Sequence, residues 1–380
     1  MNMNRLLSFF YFFYFSIVGV YLIFMPKVLS ELGYSPSEIG VVFSAMPLVR
    51  FILPFLFMKT LKLNHKIFNF ALVLMLLSSV AFYLSINDFY LLVVSNIFFG
   101  IGLSLVLPYV EVIALSSIGK ERYGKIRLFG SVGFVFVALV LVRILSSPEI
   151  PLAFLVVLTY LSAIFAYFVA RLEYKKDDKI DAKSIDGINL LQDWKLWSGF
   201  VFMQLSFGSF YNFFTIYATD NGISMDTTIY LWSFGVLVEI VMFFTQARLL
   251  QKKLLFIVEL SVLATAFRWF LLFAYPQNIE VLFFSQSIHA LSFALFHSAS
   301  ISYLFYYYKN RPLAQQLFSG LSYGLGGLGG AFISGYIYEY YPKYLFLSSS
   351  FFALLALGFF MLWSRDVKDK YFKTISDSKI

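Results

Sequence analysis

LEYKKDDKIDAKSIDGINLLQDWK, residues 172–195, is the one long polar stretch in a chain of 380 residues, and it lies close to the middle. Everything around it is apolar. A helix needs about 20 mostly apolar residues to cross the hydrocarbon of a bilayer. Runs of that kind fall near 6–29, 37–58, 67–85, 89–115, 124–145 and 150–171 before the insert. After it they fall near 196–218, 227–249, 254–274, 279–306, 314–337 and 344–364. The chain therefore reads as an all-α integral membrane protein with twelve transmembrane helices in two six-helix bundles. The boundaries expected are 1–171 for the first bundle, 172–195 for a linker, 196–364 for the second bundle and 365–380 for a tail. Within the insert, Asp177, Asp178 and Asp181 form a DDxxD pattern of the kind that holds magnesium in prenyl-transferring enzymes. They alternate with Lys175, Lys176, Lys179 and Lys183 and have no second acidic cluster, so a solvated linker is the reading.

Composition supports this class and excludes others. Hydrophobic residues make up 60% and charged residues 13%, with a mean hydropathy of +0.79. That is too little charge to coat a water-facing surface. The net charge of +8 raises the question of nucleic acid, but Lys and Arg sit in short clusters between the apolar runs, where the positive-inside rule puts them. If both termini are cytoplasmic, only Lys27, Arg143 and Lys343 face outward, and Arg50, Arg127 and Arg268 lie within spans; the rest of the 29 basic residues fall inside. The topology is thereby set with both ends in the cytoplasm. There are no cysteines, which removes disulfides and thiolate metal sites, and no cofactor is expected. The aromatic stretch after Met1-Asn2-Met3-Asn4-Arg5 reads as an uncleaved first span.

The halves resemble each other. At one offset near half the chain length, Gly33 and Ser35 fall on Gly222 and Ser224, and Ser44 and Val49 on Ser233 and Val238. The same offset puts Arg122, Leu128 and Phe129 on Arg311, Leu317 and Phe318. A duplicated unit follows, and in duplicated membrane bundles the solute site lies between the repeats near the midplane. The offset also sets Arg50 against Glu239, and Arg127 against Gln316.

Ionisable groups within spans point to that site, because each costs at least about 2.5–3.5 kcal/mol on insertion scales unless it pairs or lines a wet cavity. The groups are Arg50, Glu111, Arg127, Glu239, Glu259, Arg268, His289 and His297. Residues equidistant from a hairpin turn share a depth. Glu111 and Arg127 are centred on Gly119; Glu239 and Arg268 are centred beside Lys253; Arg268 and His289 are centred by Asn278. Glu111 and Arg127 thus form one pair, and Glu239, Arg268 and His289 share one level in the second half. His297 is as compatible with packing as with a site. On the seventh span Tyr211, Asn212 and Tyr217 add polar tips to an apolar helix, and the glycines from Gly320 to Gly335 have the spacing of close helix packing.

Several motifs also carry a family likeness. Tyr123-Gly124-Lys125-Ile126-Arg127-Leu128-Phe129-Gly130-Ser131-Val132-Gly133, Tyr230-Leu231-Trp232-Ser233-Phe234-Gly235, Arg268-Trp269 and the His289/His297 spacing resemble the 3-phenylpropionate transporter family of the major facilitator superfamily. More distantly, Pro108-Tyr109-Val110-Glu111 is similar to a motif of lactose permease-like proton symporters. The resemblance implies that Glu111 and Arg127 take the place of a substrate-binding acid and arginine, and Phe134 that of a stacking tryptophan. Arg268 and His289 would correspond to groups of the proton-coupling region. Ser292 stands where those symporters carry a protonatable glutamate, which leaves Glu239 as the candidate acid. The loop Lys59-Thr60-Leu61-Lys62-Leu63-Asn64-His65-Lys66 lacks the superfamily's usual acid.

The expectation is a non-enzymatic, proton-coupled symporter of a small organic solute in a bacterial inner membrane, acting as a monomer without nucleic-acid partners. Arg50, Glu111, Arg127, Phe134, Tyr211 and Asn212 would bind the solute, and Glu239, Arg268, His289 and His297 would handle the proton. The resemblance favours an aromatic carboxylate; Glu111 beside Arg127 suits a sugar or nucleoside equally. A non-transporting membrane receptor is the reading from another class.

Overall fold

A computed structural model describes residues 2–59, 63–173, 188–251 and 253–377, so the acidic triplet Asp177, Asp178 and Asp181 lies outside the described residues. All regular structure among the described residues is helical. Ten segments are long and apolar enough to cross a membrane. They are α1 (Met3–Glu31), α2 (Pro36–Leu56), α3 (His65–Leu84), α4 (Phe89–Ile118), α5 (Arg122–Ile144), α6 (Glu149–Leu172), α8 (Met225–Arg248), α9 (Leu254–Ala274), α10 (Ile279–Tyr307) and α12 (Pro342–Val367). The two others are interrupted. Segment α7 consists of Trp194–Ser206 and Gly208–Asp220, broken at Phe207. Segment α11 consists of Arg311–Leu317, a widened π-helical run Phe318–Gly326 and Gly327–Tyr340. Similar π-helical stretches interrupt α1 at Val20–Phe24 and α10 at Ala290–Leu295.

The ends of these helices follow from local chemistry. Asn64, Asp88, Ser224 and Asn278 each accept the backbone N–H three residues on, satisfying a donor that a helix N-terminus leaves free. At the ends of α1 and α7, Gly33 and Gly222 adopt φ of +92° and +85°, a left-handed turn that glycine makes without strain. These two residues are matched by the internal repeat, and so are their bonds. Tyr34 N–H donates to Leu29 O at 3.0 Å, and Ile223 N–H to Ala218 O at 3.0 Å. The duplication is therefore visible in backbone geometry as well as in sequence.

Segments α4 and α5 form a hairpin. A straight helix rises 1.5 Å per residue, which would hold Glu111 and Arg127 far apart; their side chains are 3.3 Å apart, so the chain reverses between them. The helix of α12 continues to Asp377, through residues expected to be tail. At the end of the expected linker, Asp193 is buried and accepts from Tyr308 Oη at 2.6 Å; this stretch is packed where its polarity had suggested solvent.

Glycine sets how the halves meet. A Cβ on Gly40 of α2 would lie 2.7 Å from Ala331 O, and one on Gly335 of α11 would lie 2.7 Å from Pro36 O. Gly324 likewise allows α11 to touch the backbone of Phe51, and within the second half Gly208 lets α7 touch Gly330. At the end holding Gly33 and Gly222 the halves are also tied by polar contacts. Arg143 of α5 reaches Asp226 at 3.5 Å and Tyr230 Oη at 2.6 Å, both on α8. Glu339 of α11 accepts the Ser37 N–H of α2 at 2.9 Å. At the opposite end the contacts Lys195–Asp366 and Tyr308–Asp193 lie within the second half, and Tyr109–His65 within the first.

Candidate functional site

The first half contributes one charged pair. Arg127 Nε lies 3.3 Å from Glu111 Oε1, which also accepts from Tyr123 Oη at 3.2 Å. The guanidinium rests 3.9 Å over the Phe15 ring and 5.2 Å from the Tyr11 ring of α1, a geometry that favours a cation over an aromatic face. Gly130, one turn on from Arg127, leaves room for the Phe15 ring. Both charged side chains remain 31% exposed. They are held in place by protein contacts yet reachable by a solute.

The second half holds a deeper network. Arg268 of α9 is fully buried. Its Nη1 contacts His289 Nδ1 at 2.9 Å and donates to Ser292 Oγ at 3.3 Å, and its Nη2 donates to Gln286 Oε1 at 2.8 Å. Phe210 and Trp269, in contact with each other, both present their rings to it, each centroid 4.4 Å away. The other ring nitrogen of His289 lies 3.5 Å from Glu239 Oε2 of α8. The imidazole therefore bridges guanidinium and carboxylate. Because Arg268 has no acceptor role, the shortest arrangement makes Nδ1 the acceptor and puts the proton on Nε2, facing Glu239. Gly235 makes this possible, since a Cβ there would sit 3.1 Å from Gln286 Oε1 and 3.6 Å from the imidazole.

The hairpin arithmetic brought Glu239, Arg268 and His289 together, but the contact between Glu239 and Arg268 runs through His289 among the described residues. His297 is separate. Its Nδ1 pairs with Tyr323 Oη of α11 at 2.8 Å, and Phe293 stacks between the two histidines. Arg50 is exposed on α2 and acts electrostatically on Tyr211 and Tyr323 without an ion pair among the described residues. Phe134 of α5 faces Trp232 of α8, ring centroids 6.4 Å apart, and so joins the two halves. Tyr211 is half-buried and stacks on Phe207. Asn212 and Tyr217 instead spend their polar tips on backbone, Asn212 on Gly208 O at 2.7 Å and Tyr217 on Leu272 O at 3.0 Å. Sequence reasoning missed Gln286, Phe15 and Trp232: the glutamine carries no charge, and the aromatics are hidden among 48 Phe and 5 Trp.

Two charged clusters, one in each half of a duplicated helical membrane protein and joined by an aromatic contact, are the geometry against which family membership can be read. A family model, the MFS_1-like family, matches residues 5–348. The chain belongs to that family of major facilitators. It is 23% identical over 372 residues to the Escherichia coli (strain K12) protein named "Probable 3-phenylpropionic acid transporter", covering 93% of this chain and 96% of that one. Among solved structures it superposes on the nucleoside transporter NupG with a TM-score of 0.77 at 19% identity, over 96% of this chain and 99% of that chain. It also superposes on the human organic anion transporter MFSD10 with a TM-score of 0.66 at 14% identity, over 94% and 98%. The protein is thus a facilitator-type membrane transporter for a small molecule, and not an enzyme.

Proposed function

We propose that this transporter is a proton symporter for a small organic solute, with an aromatic carboxylate of the 3-phenylpropionate type favoured. The observation that carries the reading is the chain Arg268–His289–Glu239, three ionisable groups in contact within the membrane and facing the half that bears Arg127 and Glu111. Arg127 offers a fork of donors to a carboxylate. Phe134 and Tyr211 supply apolar walls, with Arg50 at the margin. Glu239 takes the transported proton, and His289 passes its state to Arg268. Protonation removes a charge from low dielectric, which lowers the cost of moving one half against the other. His297 of α10 tunes this region through Tyr323 of α11, and Asn212 supports α7.

The distribution of basic residues supports both termini in the cytoplasm, in the inner membrane of a bacterium. The contacts of Arg143 and Glu339 then close the outer face, and the solute reaches Arg127 from the cytoplasm. The bundles 1–171 and 196–364 act as the two rocking bodies, the segment 172–195 as their tether, and one copy of the chain suffices.

A nucleoside or sugar is the second reading. It is favoured by Glu111, which already answers the charge of Arg127 and leaves acceptors for hydroxyl groups. Counterflow in proteoliposomes separates these: labelled 3-phenylpropionate should exchange against unlabelled 3-phenylpropionate and not against uridine or lactose. Exchange of uridine alone would move the assignment to nucleosides. Saturable binding of 3-phenylpropionate without any exchange would mark a receptor and end the transport reading.

A further inference from the structure

The charged site uses one face of α5, and the opposite face is unoccupied by any role described so far. Arg127 and Phe134 point to α8 and the first-half cluster. Lys125, Phe129, Val132 and Phe136 recur at helical spacing on the other side, and Phe129, Val132 and Phe136 are 45%, 47% and 54% exposed. Against this face α1 lays Arg5, Ser8, Phe9, Phe12 and Phe13, again one helical stripe. Between the two helices runs a groove of about 480 Å³ lined by Asn4, Arg5, Ser8, Phe9, Phe12, Phe13, Phe129 and Val132. Phe9 and Phe13 stack on Phe165 of α6 at 5.1 and 5.5 Å, which fixes the far wall.

The groove is apolar along its length and basic at one end. Helices α1 and α5 run parallel here, since Ser16 Oγ donates to Gly133 O at 3.0 Å and a Cβ on Gly19 would touch Val137. Ser8 and Lys125 stand equally far before that contact, so Lys125 is level with the mouth where Arg5 and Asn4 sit. Both cations are exposed, and no acidic side chain lines the groove among the described residues. The free backbone N–H groups of the α1 N-terminus face the same end and favour an anion.

We propose that this groove is a binding site for an anionic phospholipid, its phosphate held between Arg5 and Lys125 and one acyl chain lying along Phe9, Phe12, Phe13, Phe129 and Val132. A phosphate is the anion that a bilayer presents at that depth, and an acyl chain is the apolar body that continues from it. Two interfacial cations attract anionic lipid additively, whereas neutral lipid gains only the groove. The site lies on the lipid side of α5 and is independent of which solute the transporter carries.

The test uses the full chain in detergent micelles containing equal amounts of phosphatidylglycerol and phosphatidylcholine, with retained lipid read by native mass spectrometry. The native protein should keep one phosphatidylglycerol in preference to phosphatidylcholine. Arg5→Gln/Lys125→Gln should lower that preference on the order of tenfold, and Val132→Trp, which fills the groove with both charges kept, should reduce retention of either lipid. Both variants change exposed positions, and the melting temperature of each reports that the fold is intact. Equal retention of the two lipids by the native protein, or an unchanged preference in the double variant, would overturn the proposal.

Discussion

His289 is the residue on which the second-half network turns. It accepts from Arg268 on one side and faces Glu239 on the other, so a change of charge at the carboxylate reaches the guanidinium through the imidazole. Gln286 and Ser292 hold that guanidinium still. Gln286→Leu should leave Arg268 Nη2 without its acceptor and destabilise the protein by about 1–3 kcal/mol, measured as a lowered unfolding midpoint in detergent. An unchanged midpoint would mean that water replaces the glutamine. In the first half, Arg127→Lys should weaken solute binding by roughly tenfold or more, because a point charge cannot reproduce a bidentate fork. Titration of the purified variant by calorimetry checks it, and near-native affinity would assign the Arg127–Glu111 pair to structure alone. Charges inside apolar runs announce themselves, which is why Glu111, Arg127, Glu239, Arg268 and His289 were legible in the sequence. Gln286 was not, since an uncharged amide in a span has no comparable cost, and Phe15 is one ring in an aromatic run whose facing partner only the tertiary packing reveals.

Among the helices, α11 shows what composition can and cannot convey. Its glycine spacing announced a close approach, and the structure shows the partners to be α2 and α7. The spacing could not say which neighbours, because a stripe of small residues fits any smooth helix face. The widened turn of α1 ends two residues before Pro26, which lacks a backbone donor, and the break of α7 at Phe207 lies between Ser206 and Gly208; the widened turns in α10 and α11 contain no proline and were illegible. Ser292 lies within one such widened turn, and His289 immediately before it, consistent with the tendency of π-bulges to occur at functional sites. Gly335→Leu should prevent α2 and α11 from seating, since the added side chain meets Pro36 O and the Gly40 backbone. The expected outcome is loss of folded protein in size-exclusion chromatography. A monodisperse, transport-active Gly335→Leu protein would show that this contact opens at little cost.

At the scale of the molecule, the duplication, the apolar spans and the basic loops were all present in the sequence, and the pairing of halves through Arg143–Asp226 and Ser37–Glu339 was not. Those contacts join residues far apart in the chain, and each is an ordinary polar residue near a helix end. They tie the halves at one end, while Glu111 and Arg127 keep 31% of their side-chain surface exposed. The central claim is that Glu239 couples the rocking of the halves to a proton. Glu239→Gln keeps the shape of the side chain but cannot ionise, so the carrier behaves as permanently protonated. The decisive measurement is accumulation of labelled 3-phenylpropionate in proteoliposomes under an imposed inward proton gradient, corrected for protein-free vesicles, alongside exchange at equal pH. The native protein should accumulate solute and lose accumulation with a protonophore, while Glu239→Gln should exchange solute but not concentrate it. Accumulation by Glu239→Gln equal to the native protein, or native uptake that ignores the protonophore and follows sodium, would contradict the account.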